Sequence, residues 1–263
     1  MAISAVGTMA KVATAAAVST LAVSPTAVGD CLVMATNIFS STISVASVAG
    51  GGCSSWFRLV GPYVGSAGFY NMELWLGVVA TTGSSTITLT GTSALSGTTT
   101  GICAQQFAGG VGGGGTVWAL DGAVAGTLST TIASTTVKYP TLVPGGTLRC
   151  YVGFGTPGGT PSATASSGYT CQLNVAECFV YNPNVSTSQS PTSTQTSSSS
   201  RTIGACITAT APPAPPKSSF MPFFMGHHED ELVERRPSGL YVQRRSFGYR
   251  RPSRDDRVLT RAK

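Results

Sequence analysis

Residues able to do acid–base, nucleophilic or metal chemistry are few in this chain, and they are unevenly placed. The only two histidines, His227 and His228, are adjacent and near the C-terminus. Residues 1–212 therefore supply no imidazole for a Ser-His-Asp or Cys-His arrangement. Their acids are Asp30, Glu73, Asp121 and Glu177 alone. A glycosidase needs two carboxylates facing one sugar, and Glu73 and Glu177 are the pair that could meet in space. Scattered acids of a sandwich are expected at turns and edges, so no catalytic pair is assigned. This poverty of proton-transferring groups argues against an enzyme. His227 and His228, beside Glu229, Asp230 and Glu231, read as a solvated acidic turn rather than a metal site.

Seven cysteines, at 31, 53, 103, 150, 171, 178 and 206, never form a C-x-x-C pair. They lie in apolar alternating stretches such as "TLRCYVGF" and read as small buried hydrophobes. Cys171 and Cys178, in "CQLNVAEC", are the one pair placed to face each other across a hairpin. The glycine-rich stretches at 48–52 and 108–118 do not lead into a helix carrying Gly-Lys-Ser/Thr. Without that helix N-terminus they cradle no phosphate, and no cofactor is expected.

Aromatic residues offer a second kind of site. Trp56, Tyr63, Tyr70, Trp75, Trp118, Tyr151, Tyr169 and Tyr181 could form a sugar-stacking platform, although core packing is the commoner use of such side chains. Trp56 and Tyr63, in "SSWFRLVGPYVG", are the pair expected to be exposed on a loop. Asn184-Val185-Ser186 matches a glycosylation sequon.

Basic charge marks a third. Residues 1–212 carry five basic and four acidic residues, whereas 213–263 carry eleven and six, so the net +6 belongs almost wholly to the tail. There an apolar knot, with Phe220, Phe223 and Phe224 at its centre, precedes paired arginines: Arg235–Arg236, Arg244–Arg245 and Arg250–Arg251. Arginines interleaved with Tyr241, Phe247 and Tyr249 suit phosphate neutralisation with base stacking. The interspersed acids favour docking on an acidic protein surface equally. The partner-docking residues are accordingly Phe220, Phe223, Phe224, Arg244, Arg245, Arg250 and Arg251.

The elements that must position these groups are strands. Charged residues make up only 10% of the chain, against roughly a quarter in ordinary domains, so the surface must be hydrated by hydroxyls and backbone. Short β-branched runs alternate with Gly, Pro and Ser turns. They are predicted at 30–39, 41–48, 70–80, 85–92, 102–109, 127–134, 136–142, 147–155, 168–174, 177–183 and 201–210. Met72, Leu74, Leu76 and Val78 share one face, as do Leu148, Cys150, Val152 and Phe154. The segment before Asp30 has no cation ahead of Lys11 and is read as a first strand or two rather than a signal peptide. "STSQSPTSTQTSSSS" (186–200) is predicted to be a mobile loop. No run of eighteen apolar residues exists to span a membrane as a helix. The fold predicted is all-β: an antiparallel jelly-roll-like β-sandwich over 1–210. It is followed by a Pro-rich linker and a mostly irregular basic tail over 211–263.

Three motifs in order, Gly29-Asp30-Cys31-Leu32-Val33, Ser41 to Gly52 with Trp56, and Glu73-Leu74-Trp75-Leu76-Gly77, resemble those of a group of β-sandwich proteins of actinobacteria and their bacteriophages. "AQQFAG" (104–109), "LRCYVGFG" (148–155) and "VYNPNVS" (180–186) fit the same pattern, which covers about residues 20–210. The resemblance implies a jelly-roll-like domain of virion or surface-exposed proteins with no defined active site. Cysteine at 31 and 103, where the pattern would carry plain hydrophobes or Thr, favours assembly in a reducing compartment. The expectation is a non-enzymatic virion component (capsid-associated, decoration or tail) with a homo-oligomer or other virion proteins as partners. Nucleic acid is a possible partner of the tail, and a surface carbohydrate-binding or adhesive module, extracellular or on the cell surface, is the alternative.

Overall fold

The computed structural model describes residues 2–12, 18–64, 70–95, 100–110, 115–147, 149–174 and 176–212. Among them every regular element is a strand. In chain order these are β1 (Ser4–Lys11), β2 (Thr20–Val23), β3 (Cys31–Ile38), β4 (Val45–Gly50), β5 (Cys53–Val64), β6 (Asn71–Val79) and β7 (Ser85–Gly91). They continue with β8 (Thr100–Ala108), β9 (Val117–Lys138), β10 (Arg149–Pro157), β11 (Pro161–Ala165), β12 (Thr170–Asn174), β13 (Glu177–Val185) and β14 (Thr192–Thr210). The all-β, antiparallel prediction holds, and the N-terminal segment read as strands supplies β1 and β2.

The strands form three antiparallel sheets. A central sheet has the order β1-β8-β3-β6-β5, a small one the order β2-β7-β4, and a six-stranded one the order β11-β14-β10-β13-β12 with β9 along the edge of β14. Period-two alternation sends successive side chains to opposite faces, and on β3 both faces are covered. Cys31, Val33 and Ala35 enter the core shared with the six-stranded sheet, where they meet Leu74, Leu76, Phe107, Val152, Phe154 and Ile203. Leu32, Met34 and Ile38 enter a second core against Ile87 and Leu89 of the small sheet. That double burial explains why "CLVMATNI" is apolar along most of its length, since a sheet packed on both sides has no face for water. The predicted faces are met at Met72, Leu74, Leu76, Cys150, Val152 and Phe154, which join the first core, with Val78 packed against it; Leu148 lies outside the described residues.

A third cluster, with Val137, Tyr139, Tyr151 and Val180, covers the far face of the six-stranded sheet. Gly153 makes this possible, because a Cβ there would lie 2.9 Å from the Tyr139 ring. The Tyr151 hydroxyl donates to the Pro140 carbonyl at 2.9 Å and ties the 139–142 segment to the sheet.

Three expectations are corrected. The low-complexity stretch is strand from Thr192 onward, because β14 is paired on both sides, with β9 along its length and with β11 and β10 opposite. Its hydroxyls are used inside the sheet: Thr202 donates to the Lys138 carbonyl at 2.8 Å, and Thr130 and Ser200 are 2.6 Å apart. The strands predicted at 127–134 and 136–142 are not separate: residues 127–138 belong to one strand, β9, that slips register between Ser134 and Thr130, and 139–142 lie beyond its end. Ile132 stands at that bulge, 81% exposed. The stretch around Trp56 is not a loop but β5, whose register shifts repeatedly against β6.

Candidate functional site

All four acids are buried and engaged. Asp30 just before β3, Asp121 on the edge strand β9 and Glu177 at the β12–β13 turn lie at turns and edges as expected, whereas Glu73 does not. Glu73 sits in mid-strand on β6 and faces the small sheet. It accepts from the Val45 backbone N–H at 2.7 Å and the Trp75 indole at 2.9 Å, and it pairs with Arg58 Nε at 2.8 Å. Arg58 in turn donates to the Val45 carbonyl and lies 4.7 Å above the Trp75 ring. The cluster joins β4, β5 and β6, and so joins two sheets. Burial pushes the Glu73 carboxyl upward, and its three partners pull the other way.

The remaining carboxylates do similar work. Asp30 accepts from Gln106 Nε2 at 2.6 Å, with burial the larger influence and raising its pKa. Asp121 pairs with Arg149 at 3.0 Å and accepts from the Gly145 backbone N–H at 2.7 Å. Glu177, on β13, accepts from Asn37 Nδ2 at 3.4 Å, and burial raises its pKa too. Glu177 reaches toward the central sheet from the six-stranded side, whereas Glu73 leaves that sheet on its other face. The central sheet lies between them, so they do not face one substrate.

The aromatic residues divide in the same way. Trp75, Trp118, Tyr151 and Tyr181 are buried in the cores. Trp56 donates its indole N–H to the Gly50 carbonyl at 3.0 Å and packs beside the second core. Its ring lies against Gly77, where a Cβ would stand 2.6 Å from it. Tyr63 packs against the first core instead. Trp56 opposes Gly77 and Tyr63 opposes Met72, so the two rings leave β5 on opposite faces and share no platform.

A different aromatic group does gather at the surface. Phe39, 44% exposed, meets Tyr70 edge-on with ring centroids 5.0 Å apart. Arg201 of β14 lies 5.4 Å over the Tyr70 ring. Sequence reasoning included Tyr70 but missed Phe39 and Arg201, because no local signal brings β14 beside the start of β6.

All seven cysteines are free thiols, and all but Cys53 are buried, in keeping with their alternating contexts. Asn184 of the sequon is exposed on β13. Phe220, Phe223, Phe224, Arg244, Arg245, Arg250 and Arg251, like His227 and His228, lie outside the described residues. No helix among the described residues is long and apolar enough to cross a membrane. Comparison with family models, curated proteins and solved structures finds no match to this chain.

Proposed function

We propose that this is a non-enzymatic structural protein that acts by assembly: a bacteriophage virion component, capsid-associated, decoration or tail, with a jelly-roll-like body. The observation that carries the reading is the use of all four body carboxylates as internal ties, to Gln106, Arg58, Arg149 and Asn37. The body's few charges thus hold its sheets together, while the surplus of positive charge resides in the C-terminal 213–263. A nearly neutral, hydroxyl-coated body suits packing against copies of itself or neighbouring virion proteins. The tail docks through its phenylalanine root and paired arginines, and it bears its ordering cost only when bound. Sedimentation of the full chain, with a search for it in purified particles, tests this. Concentration-dependent association and presence in the particle are expected; a monomer at high concentration that is missing from every particle would end the proposal.

The Phe39–Tyr70–Arg201 group favours a second reading, a surface module that stacks a sugar on the exposed Phe39 ring and the half-buried Tyr70 ring. Glycan-array binding that disappears in Tyr70→Ala supports that reading, and uniform silence removes it.

A further inference from the structure

Cys171 and Cys178 meet within a single hairpin. Register pairs Cys171 with Val180 and Leu173 with Cys178, so the cysteines are diagonal neighbours with the same parity. Both side chains belong to the cluster on the sheet face turned away from the central sheet, with Tyr139 and Val180. The Cys171 thiol donates to the Ser162 carbonyl at 3.8 Å, and it lies near enough to Cys178 that each shifts the other's ionisation, with the hydroxyls of Ser193 and Tyr139 also acting on Cys178. These two hydroxyls are themselves 3.2 Å apart, within hydrogen-bond distance. Proximity of the Cys171 thiol, ahead of burial, holds the Cys178 thiol below its ordinary pKa, and the same proximity, with burial, pushes Cys171 up.

We propose that Cys171 and Cys178 form a reversible disulfide that staples β12 to β13, with a peroxide or a low-molecular-weight disulfide as the oxidant. Diagonal pairs in a flat ladder have Cα atoms about 7–8 Å apart, slightly beyond the usual span of a disulfide. β12 can shift to close that gap, because it is an edge strand of five residues whose backbone ladder runs to β13 alone. Its ties from Met9 and Lys11 and to Gln105 are single bonds at Gln172 and Leu173. The same looseness admits the oxidant, since edge segments open at low free-energy cost. Cys171 reaches the surface at 8% exposure, whereas Cys178, like Cys31, Cys103, Cys150 and Cys206, is fully buried, so the oxidant reaches Cys178 when the β12 edge opens.

Hydrogen peroxide takes both electrons. Cys178 loses its proton to water, and its thiolate attacks one peroxide oxygen. The O–O bond breaks, and the departing hydroxide takes up a proton to become water, leaving a sulfenic acid on Cys178. The Cys171 sulfur then attacks that sulfur, the S–S bond forms, the S–O bond breaks, and the hydroxide leaves with the Cys171 proton as a second water. The protein gives up two electrons and the peroxide is reduced to two waters. A thiol reductant reverses the oxidation. In a reducing compartment the pair stays a dithiol; outside it becomes a staple.

The test is a thiol count on the denatured full chain after mild peroxide treatment of the folded protein, with peptide mapping. A fall from seven thiols to five, with one linked peptide pair joining Cys171 to Cys178 and recovery on adding dithiothreitol, is expected. Cys171→Ser and Cys178→Ser, each with six thiols, should form no intramolecular link, while Cys53→Ser, also with six, should fall to four. An unchanged count, a loss traced to Cys53 or another single thiol, links among other cysteines or between chains, or loss of the pair in Cys53→Ser would each overturn the proposal.

Discussion

At the scale of single residues, burial of this protein's acids reverses the usual pH response. Burial raises the pKa of Glu177 above its ordinary 4.5, so the folded chain holds that proton more tightly than the unfolded one. Its contribution to stability is full below 4.5 and is lost as the pH rises through the folded value. Asp30 and Glu73 shift in the same direction. The melting temperature should therefore rise as the pH is lowered from neutrality through the raised folded values toward 4.5. Glu177→Gln should raise stability at neutral pH and flatten that slope, as read by thermal melts across the range; an unchanged slope would place the titration elsewhere. The Arg58–Glu73 pair behaves differently. Removing one member leaves a buried partner uncompensated, so Arg58→Met should cost about 3 kcal/mol or more in chemical denaturation.

At the scale of elements, hydroxyl-rich sequence serves here as strand. Ser193 is fully buried on β14 and is paired with Val137 on one side and Ala165 on the other. A proline there removes an N–H from a doubly paired strand. Ser193→Pro should lower stability by about 2 kcal/mol or more in urea unfolding, whereas a surface loop would tolerate it. The β5–β6 pair gives a second test. Gly77 has the Trp56 ring 2.6 Å and Cys53 Sγ 2.8 Å from where a Cβ would stand. Gly77→Val must displace that ring and should quench or shift tryptophan emission while lowering stability by about 1–3 kcal/mol.

At the scale of the whole molecule, the described body ends at Pro212 and the positive charge follows it. A chain of residues 1–212 is expected to keep the strand-type circular dichroism and to melt within about 3 °C of the full chain. It should lose retention on a cation exchanger, since its net charge is only +1. If the tail grips nucleic acid, the full chain's affinity falls steeply with salt and the shortened chain has none; salt-insensitive binding would remove that role.

The amino-acid sequence alone determined the fold class and much of the inward faces. Alternation at Met72, Leu74 and Leu76, and at Cys150, Val152 and Phe154, is a local property that any partner sheet would satisfy. Placing the positive charge in the tail needed only counting. Tertiary structure decided what local pattern does not encode. It made Thr192–Ser200 a strand, because β9, β11 and β10 were there to bond it. It turned Trp56 and Tyr63 to opposite faces and brought Arg201 to Tyr70. It also set the central sheet between Glu73 and Glu177. Period-two alternation says which residues share a face, but the element packed on that face is chosen by chain segments distant in sequence.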